Sequence, residues 1–224
     1  MMTKGEETLR AELIQTCQAM SETGLTFGTS GNASVRLDGD SLLITPTGLN
    51  YDDLQPKDIV RLNEDGQLFG GRKPSSEWRF HRDIMKTRRD INAIVHVHSD
   101  AATALACRAE GIPPFHYMVA IAGGDNIRCA PYATFGTEAL SINAISALED
   151  RKACLLANHG QIAMGDDLAG ALKMAGEVET LANMYWQSSQ GGTPKLLSNE
   201  EMRRVLKKFE TYGDHTAPFD DGLI

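Results

Sequence analysis

The sequence lacks the marks of several large classes of protein. It contains no apolar run of the ~20 residues that cross a bilayer, and its N-terminal residues form no hydrophobic signal core. Acidic side chains outnumber basic ones by 30 to 22, and the net charge of −8 argues against a nucleic-acid or anionic-membrane surface. We therefore expect a cytoplasmic protein that binds neither nucleic acid nor membrane.

Cysteine is also scarce: the four cysteines lie far apart and form no C-x-x-C pair. Cys17, Cys107 and Cys154 sit among apolar residues, which is typical of reduced core thiols in a cytosolic protein. The length of 224 residues and the ordinary apolar content suit one domain with a sizeable core. We predict a single domain over residues 1–224, with a polar tail from about Gly213 that frays.

Hydrophobic periodicity predicts helices and strands along the whole of this domain. Helices are predicted over residues 6–22, 76–88, 101–108, 138–148, 166–189 and 199–209. Hairpins are predicted over residues 34–45 and 59–69, and further extended segments over 94–98, 116–120, 127–132 and 153–160. Gly24 ends the first helix, and Ser75 or Ser76 caps the second.

Two histidines occupy alternate positions in the apolar run before Ser99 and Asp100. β-branched residues favour a strand here, and side chains on a strand alternate between faces, so His96 and His98 project from the same face. Two imidazoles one pleat apart can chelate a single divalent ion. The motif alone fits a buried pair of structural histidines equally well.

Two further polar residues extend this pattern. The segment 153–160 is predicted to be an apolar strand that ends in His159 and Gly160, and the glycine allows a close approach. A lone histidine there is more often structural, but it offers a third metal ligand. Glu77 follows a serine pair at a predicted helix start, where the helix dipole favours an acid and the serines can hold an anion. The residues themselves leave these roles open.

Seven motifs agree in order and spacing with one known family. They are Gly28-Thr29-Ser30-Gly31-Asn32-Ala33-Ser34, Ile44-Thr45-Pro46-Thr47-Gly48, Pro74-Ser75-Ser76-Glu77-Trp78-Arg79-Phe80-His81, His96-Val97-His98, His116-Tyr117-Met118, Ala130-Pro131-Tyr132-Ala133-Thr134-Phe135-Gly136-Thr137 and Asn158-His159-Gly160. Over nearly its whole length the chain resembles the class II, metal-dependent sugar-phosphate aldolases of the fuculose-1-phosphate aldolase type. Their superfamily includes ribulose-5-phosphate 4-epimerase and the adducin head domain. The resemblance implies an α/β fold, a three-layer α/β/α sandwich whose central, mostly antiparallel sheet is flanked by helices.

The resemblance also implies roles for particular residues. It implies zinc ligands at His96, His98 and His159, and a catalytic acid/base at Glu77 that also closes the zinc shell when no substrate is bound. It implies a phosphate pocket formed by Thr29, Asn32, Thr47, Gly48, Ser75 and Ser76. It implies a proton donor to the aldehyde oxygen at Tyr117 and a second tyrosine at Tyr212, both reaching in from a neighbouring subunit of a C4 homotetramer, and an aldehyde pocket shaped by Phe135.

Elementary chemistry agrees with these roles. Three neutral imidazoles leave the ion its double positive charge and an open position for a ketone. The ion then acts as a Lewis acid on the developing enediolate, while Glu77 removes and returns the neighbouring carbon-bound proton. Hydroxyls, an amide and backbone N–H groups at a helix start bind phosphate without clustered cations. Imidazole ligands also suit manganese and cobalt, so the identity of the ion stays open.

The chain departs from the fuculose enzyme at a few positions. Ser99 and Asp100 stand where that enzyme has apolar residues, and Asp125 stands where it has an amide. Ser99 resembles the epimerase branch, but epimerases carry aspartate in place of Glu77, which favours carbon–carbon cleavage. We interpret Asp100 as a helix cap rather than as a catalytic residue.

The leading prediction is a class II aldehyde-lyase that reversibly cleaves a ketose 1-phosphate, L-fuculose 1-phosphate or a related deoxyketose 1-phosphate, to dihydroxyacetone phosphate and a small aldehyde. A sugar-phosphate 4-epimerase, dehydratase or decarboxylase of the same superfamily is the alternative. A non-catalytic interaction module like the adducin head is a remote one, because it predicts loss of the ligands, and all three histidines and Glu77 are present. The sequence does not name the aldehyde, because specificity depends on pocket shape.

Overall fold

The computed structural model describes residues 4–37 and 41–210. Its strands are β1 (Asn32–Leu37), β2 (Ser41–Ile44), β3 (Val60–Leu62), β4 (Leu68–Phe69), β5 (Ala93–Val97), β6 (Cys129–Ala130), β7 (Ala153–Leu156) and β8 (Gly160–Gly165). They form one sheet in the order β4-β3-β2-β1-β5-β8-β7-β6. Every neighbouring pair is antiparallel except β6 and β7, which run parallel.

Helices cover both faces of this sheet. They are α1 (Lys4–Glu22), α2 (Trp78–Thr87), α3 (Asp100–Ala106), α4 (Glu138–Ala147), α5 (Leu168–Ser189) and α6 (Asn199–Phe209). Successive residues of β5 point to opposite faces, so that Val95 joins a buried cluster with α1, α3, α5 and α6, while Ile94 joins one with α2 and α4. The sheet is therefore the middle layer of the three-layer α/β/α sandwich that the resemblance implied. In the part of the chain that the structure describes, no helix is both long and apolar enough to cross a membrane.

The predicted helices are confirmed, with ends that agree to within two residues. Helical spacing predicts one apolar stripe on α1 from Leu9, Leu13, Cys17 and Met20; the last three are fully buried, whereas Leu9 is partly buried. Gly24 follows the helix with a φ of +72°, a left-handed conformation that glycine adopts without a side-chain clash. Ser198 caps α6, because its hydroxyl oxygen accepts a hydrogen bond at 3.1 Å from a backbone N–H in the first turn.

The sheet contains both predicted hairpins, as β1–β2 and β3–β4. The predicted turn at 38–40 and the predicted tail from Gly213 lie outside the described residues. β8 was not predicted, although it lies in the middle of the sheet between β5 and β7. It begins and ends in glycine and contains Gln161, so it lacks the apolar alternation by which a strand is recognised, yet all of its residues are buried.

One predicted strand is wrong. Residues 116–120 instead lead into a 3-10 helix at Tyr117–Ala122, in which the Val119 N–H donates to the His116 carbonyl oxygen at 3.1 Å. A short apolar run fits either structure by periodicity alone. Gly123, with a φ of +91°, ends this helix in the left-handed region and turns the chain away.

The prediction of three buried cysteines is right for two of them. Cys17 and Cys154 are buried, whereas Cys107 is exposed. The physical reason is its position at the end of α3, where the helix stops and the chain turns along the surface. All four cysteines are free thiols, in agreement with the absence of a disulfide pattern in the sequence.

Candidate metal centre and active site

The central strands carry the predicted metal ligands to one end of the sheet. Asn32, the first residue of β1, pairs with His96 on β5, and His98 follows β5 directly. The turn between β7 and β8 brings His159 to the same place. A Cβ at Gly160 would lie 2.5 Å from a backbone oxygen and 2.7 Å from the His98 ring. Only glycine permits this close approach, as the sequence predicted.

The backbone before α2 positions Glu77. The prediction that Ser75 or Ser76 caps this helix is wrong, because Glu77 occupies the N-cap. The Ser75 carbonyl accepts from the Trp78 N–H at 3.1 Å, and the Ser75 hydroxyl accepts from the Glu77 N–H at 3.3 Å. These two bonds form a turn that comes before the helix, and they occupy the N–H groups of Glu77 and Trp78. The turn directs the Glu77 side chain, which is buried, towards the histidines.

The four predicted ligands form one compact cluster. Nε2 of His96 lies 3.0 Å from Nε2 of His98 and 3.1 Å from Oε2 of Glu77. Nε2 of His159 lies 3.1 Å from Oε1 of the same carboxylate. The ligand atoms of all four residues lie within 4.8 Å of one another. A tetrahedral zinc ion with bonds of ~2.0 Å separates its ligand atoms by ~3.3 Å, so the cluster needs little adjustment to hold such an ion.

Two observations within the cluster fit a bound cation. Oε1 of Glu77 is buried, lies 3.1 Å from Nε2 of His159 and has no assigned hydrogen-bond partner among the described residues. Nδ1 of His96 lies 2.8 Å from the backbone carbonyl oxygen of Gln161, to which it donates. When a cation takes the place of a proton on Nε2, the ring presents the lone pair of that nitrogen to the cluster. An unpartnered carboxylate oxygen and an aimed imidazole lone pair are what a divalent ion would satisfy.

The electrostatics of the cluster favour positive charge at its centre. Burial alone would raise the pKa of Glu77, but the charge on His96 and the contacts with both neighbouring imidazoles outweigh it and hold the pKa well below its usual range. Burial and the charge on His96 lower the pKa of His98 to about 4. Burial also opposes charge on His96, yet the adjacent carboxylate raises its pKa. At neutral pH the site therefore offers an ionised Glu77 and a neutral His98 as ligands.

A cleft of about 320 Å³ adjoins the cluster. It is lined by Thr29, Ser30, Gly31, Asn32, Pro46, Thr47, Ser75, Ser76, Glu77, His98, Tyr132, Ala133, Phe135, Asn158 and His159. Five of the six residues predicted for the phosphate pocket line it, whereas Gly48 does not. The loop that contains Thr47 and the loop that contains Ser75 are joined by two backbone hydrogen bonds. The Thr47 N–H donates to the Lys73 carbonyl oxygen at 3.2 Å, and the Ser75 N–H donates to the Thr45 carbonyl oxygen at 2.9 Å.

Asn32 makes contacts that the sequence did not predict. Its amide Nδ2 donates to Oε2 of Glu77 at 3.0 Å, and its Oδ1 lies 2.6 Å from Nε2 of His81. Helical spacing predicts His81 on the apolar side of α2 and indicates no polar contact for it, and its ring is fully buried. The other ring nitrogen of His81 lies 2.7 Å from the hydroxyl of Ser34. No spacing rule marks these contacts, because they join β1 to a helix more than 40 residues away.

The buried His81 leads to a prediction about acid stability. Burial and the charge on His96 lower its pKa from 6.5 to about 3. An unfolded chain therefore binds a proton at this residue below pH 6.5 that the folded chain does not, and stability falls as the pH falls. For metal-free protein we expect His81 to account for a loss of about 2 kcal/mol of unfolding free energy between pH 7 and pH 5.

Urea unfolding at the two pH values, compared with a His81→Gln variant, measures this contribution. The variant has no titrating group at this position, so the fall in its unfolding free energy should be smaller by that amount. Equal pH dependence in the two proteins would contradict the prediction.

Of the aromatic residues predicted for the aldehyde side, the structure places only some at the cleft of their own chain. Phe135 lines the cleft, and so does Tyr132, for which no role was predicted; each is 62% exposed. Tyr117 is half exposed and is not among the residues that line the cleft of its own chain. Tyr212 lies outside the described residues.

The three departures from the fuculose enzyme have structural explanations. The prediction that Asp100 caps a helix is wrong: Glu179 of α5 caps α3, accepting from two backbone N–H groups at 2.8 and 2.9 Å, while Asp100 is exposed. The buried Ser99 hydroxyl accepts from the Gln161 side chain at 2.7 Å. Asp125 forms an ion pair with Arg151 at 2.8 Å.

Comparison with known proteins agrees with this site. The chain matches the family described as Class II Aldolase and Adducin N-terminal domain over residues 11–186. It is 55% identical over 207 residues to the 5-methylthioribulose-1-phosphate/5-deoxyribulose-1-phosphate aldolase of Rhodospirillum rubrum, covering 92% of this chain and 93% of that protein. It is 48% identical over 206 residues to the L-fuculose phosphate aldolase of Escherichia coli, covering 92% and 95%. A solved structure of an L-fuculose 1-phosphate aldolase has a TM-score of 0.89 and 41% identity, covering 94% and 98%.

The sandwich fold, the histidine–glutamate cluster and this match together define the class of the protein. The chain belongs to the class II aldolase and adducin N-terminal domain family. Within that family it is an enzyme, a class II aldolase and hence a carbon–carbon lyase. Class II aldolases depend on a metal ion, and the cluster of Glu77 with three histidines is the group of described residues that could hold one.

Proposed function

We propose that this enzyme uses zinc to cleave a deoxyketose 1-phosphate reversibly into dihydroxyacetone phosphate and a small aldehyde. The observation that carries the proposal is the convergence of three imidazoles and the Glu77 carboxylate beside hydroxyl-bearing side chains in one cleft. Nitrogen ligands with one carboxylate suit zinc in a tetrahedral site, and manganese or cobalt would be accepted with less preference.

The reaction divides among the residues of the cleft. When bound, a divalent ion supplies Lewis-acid stabilisation of the negative charge that develops next to the ketone. In the direction of synthesis, Glu77 takes a proton from the carbon beside the carbonyl of dihydroxyacetone phosphate. The electron pair left on that carbon forms the new bond to the aldehyde carbon, and the aldehyde oxygen takes a proton from Tyr117. In the direction of cleavage the same groups reverse these transfers, and Glu77 returns the proton.

The phosphate is assigned to the hydroxyl-bearing side of the cleft, with Thr29, Asn32, Thr47, Gly48, Ser75 and Ser76 as its predicted contacts. Among the described residues, no lysine or arginine lines the cleft. Hydroxyls and backbone N–H groups at the start of α2 would therefore carry the phosphate, which is chemically sufficient at a helix N-terminus.

We also infer a C4 homotetramer, in which Tyr117 and Tyr212 serve the cleft of a neighbouring subunit. The half-exposed Tyr117 side chain, outside the cleft of its own chain, supports this arrangement. The four free thiols support a reducing compartment, for which the cytoplasm is our proposal.

The apolar side of the cleft supports an aldehyde with an apolar end. Tyr132, Ala133 and Phe135 line the cleft beside the ligands. A relative named for methylthioribulose and deoxyribulose phosphates is 55% identical to this chain, and one named for fuculose phosphate is 48% identical. We therefore rank acetaldehyde and methylthioacetaldehyde above lactaldehyde, and lactaldehyde above glycolaldehyde.

An aldehyde panel tests the proposal. Zinc-loaded protein is incubated with dihydroxyacetone phosphate and each of the four aldehydes, and formation of the ketose 1-phosphate is followed. We expect kcat/KM for the two apolar aldehydes to exceed that for glycolaldehyde by about 10-fold, because one apolar group in a pocket supplies a discrimination of this order. Absence of any condensation product with the metal bound would reject the aldolase proposal. Conversion of a pentulose 5-phosphate to its 4-epimer in parallel samples would favour the epimerase alternative.

A further inference from the structure

Four buried side chains form a continuous hydrogen-bond chain that begins at the cleft wall and ends in the core. The Ser34 hydroxyl lies 2.7 Å from Nδ1 of His81, Nε2 of His81 lies 2.6 Å from Oδ1 of Asn32, and Nδ2 of Asn32 lies 3.0 Å from Oε2 of Glu77. None of these side chains is more than 5% exposed. We refer to Ser34, His81, Asn32 and Glu77 as the buried hydrogen-bond chain.

The direction of every bond in this chain follows from donor and acceptor chemistry. An ionised Glu77 only accepts, so Asn32 must present its NH₂ group to the carboxylate and its Oδ1 to the ring. Oδ1 also only accepts, so Nε2 of His81 carries the hydrogen. A neutral ring then has no hydrogen on Nδ1, which accepts from the Ser34 hydroxyl. Burial and the charge on His96 lower the pKa of His81 to about 3, which keeps the ring neutral.

The positions of these residues along β1 and α2 explain how the buried hydrogen-bond chain is assembled. Asn32 and Ser34 are two residues apart on one strand, so their side chains leave the same face of the sheet. Glu77 and His81 are four residues apart, one turn along the start of α2. β1 therefore supplies the two side chains that bond the ring, Ser34 and Asn32, and the start of α2 supplies the ring and the carboxylate.

We propose that His81 is a positioning residue for the aldolase reaction, because it fixes the amide of Asn32 and through it the carboxylate of Glu77. The ring is fully buried and is not among the described residues that line the cleft, so it acts on the cleft through Asn32. Without the hydrogen on Nε2, Oδ1 of Asn32 loses its buried partner, and only the bond from Nδ2 to Glu77 holds the amide. The amide is then free to tilt, and the carboxylate bonded to it shifts with it.

The inference rests on the proposed function only in assigning a catalytic task to Glu77, so its first test uses no turnover. Metal-free protein labelled with ¹⁵N-histidine is examined by NMR at pH 7. We expect His81 to be neutral, with the hydrogen on Nε2 and a free lone pair on Nδ1. The opposite tautomer, or a doubly protonated ring, would overturn the proposed bond directions.

The second test compares two replacements of the ring. His81→Phe keeps its size and removes both hydrogen bonds, whereas His81→Gln retains an amide hydrogen that can reach Oδ1 of Asn32. We expect the Phe variant to bind zinc and turn over about 10–100-fold less well than the wild type, with the Gln variant recovering most of this loss. At matched zinc content, the loss should fall on kcat and leave the KM for dihydroxyacetone phosphate within a factor of about three.

A purely structural role predicts a different pattern. Both replacements would then lower the thermal midpoint while kcat per zinc-loaded subunit stayed at the wild-type value, and this result would overturn the proposal. If the Phe variant does not fold, Ser34→Ala provides the same test at the end of the buried hydrogen-bond chain that lies farthest from Glu77, with an expected loss in kcat of a few-fold. Its matched control is Ser141→Ala, which removes another buried serine hydroxyl, bonded to Asp83 of α2 at 2.6 Å, outside the buried hydrogen-bond chain.

The outcomes also separate this inference from the proposed function. A wild-type protein that condenses none of the aldehydes but shows the Nε2–H tautomer and weaker zinc binding in His81→Phe would reject the substrate and retain the positioning role. An active wild type in which His81→Phe matches its zinc affinity and kcat would reject the positioning role alone.

Discussion

Replacing His98 with alanine is expected to let the metal be removed by dialysis against a weak chelator, with loss of aldolase activity. Sites with four protein ligands bind zinc with about 10–16 kcal/mol of free energy, so loss of one ligand in four costs about 3 kcal/mol, or roughly 100-fold in affinity. His98 is suited to this test because its pKa of about 4 leaves it a neutral ligand throughout the range of the assay. Zinc content after dialysis against a weak chelator, measured by elemental analysis beside turnover, gives both quantities.

The control for this variant lies two residues away. Asp100→Ala removes an exposed side chain from the first turn of α3, where Glu179 provides the cap. We expect zinc content and kcat to stay at the wild-type level in this control, and thermal stability to change little, because exposed substitutions are usually within about 0.5 kcal/mol. A His98→Ala protein that keeps one zinc per subunit through dialysis would show that the other ligands suffice. A control protein that loses activity would restore a catalytic role for Asp100.

The sequence indicated the candidate metal ligands because their chemistry is marked in the chain itself. His96 and His98 alternate on an apolar run, and His159 stands before a glycine at the end of another. What these patterns could not supply is the register between strands. β8 connects the two histidine-bearing segments by pairing with β5 and β7, and its glycines hide it from periodicity. The resemblance to a family, rather than the pattern of residues, joined the three ligands before the structure did.

The supporting contacts around these ligands were not predicted, for the same reason. The carbonyl that orients His96 belongs to Gln161, and the carboxylate that caps the helix after His98 belongs to Glu179, more than 60 residues away along the chain in each case. The resemblance assigned Asn32 to the phosphate pocket, and nothing in the sequence indicated that its amide is bonded to Glu77. A side chain's type limits which bonds it can make, but only the packing of β1 against α2 determines which partner it meets.

Replacing Glu77 with glutamine is expected to produce the largest loss in turnover with the least change in shape. The amide has no basic oxygen, so it can neither take the proton from dihydroxyacetone phosphate nor return it, and positioned acid–base catalysis is worth about 10²–10⁴-fold. Zinc should remain bound more weakly, because the three imidazoles still converge on one point. Turnover measured at saturating zinc therefore separates loss of the base from loss of the metal.

Exchange of the carbon-bound hydrogen of dihydroxyacetone phosphate with deuterated water, in the absence of aldehyde, isolates the step assigned to Glu77. We expect Glu77→Gln to reduce this exchange as severely as turnover, because the proton transfer precedes carbon–carbon bond formation. Glu77→Asp keeps a carboxylate but withdraws it by one methylene, so it should retain part of the exchange while losing the hydrogen bond from Asn32. If Glu77→Gln exchanged at the wild-type rate with zinc bound, another group would have to be the base, and the carboxylate would be a metal ligand only.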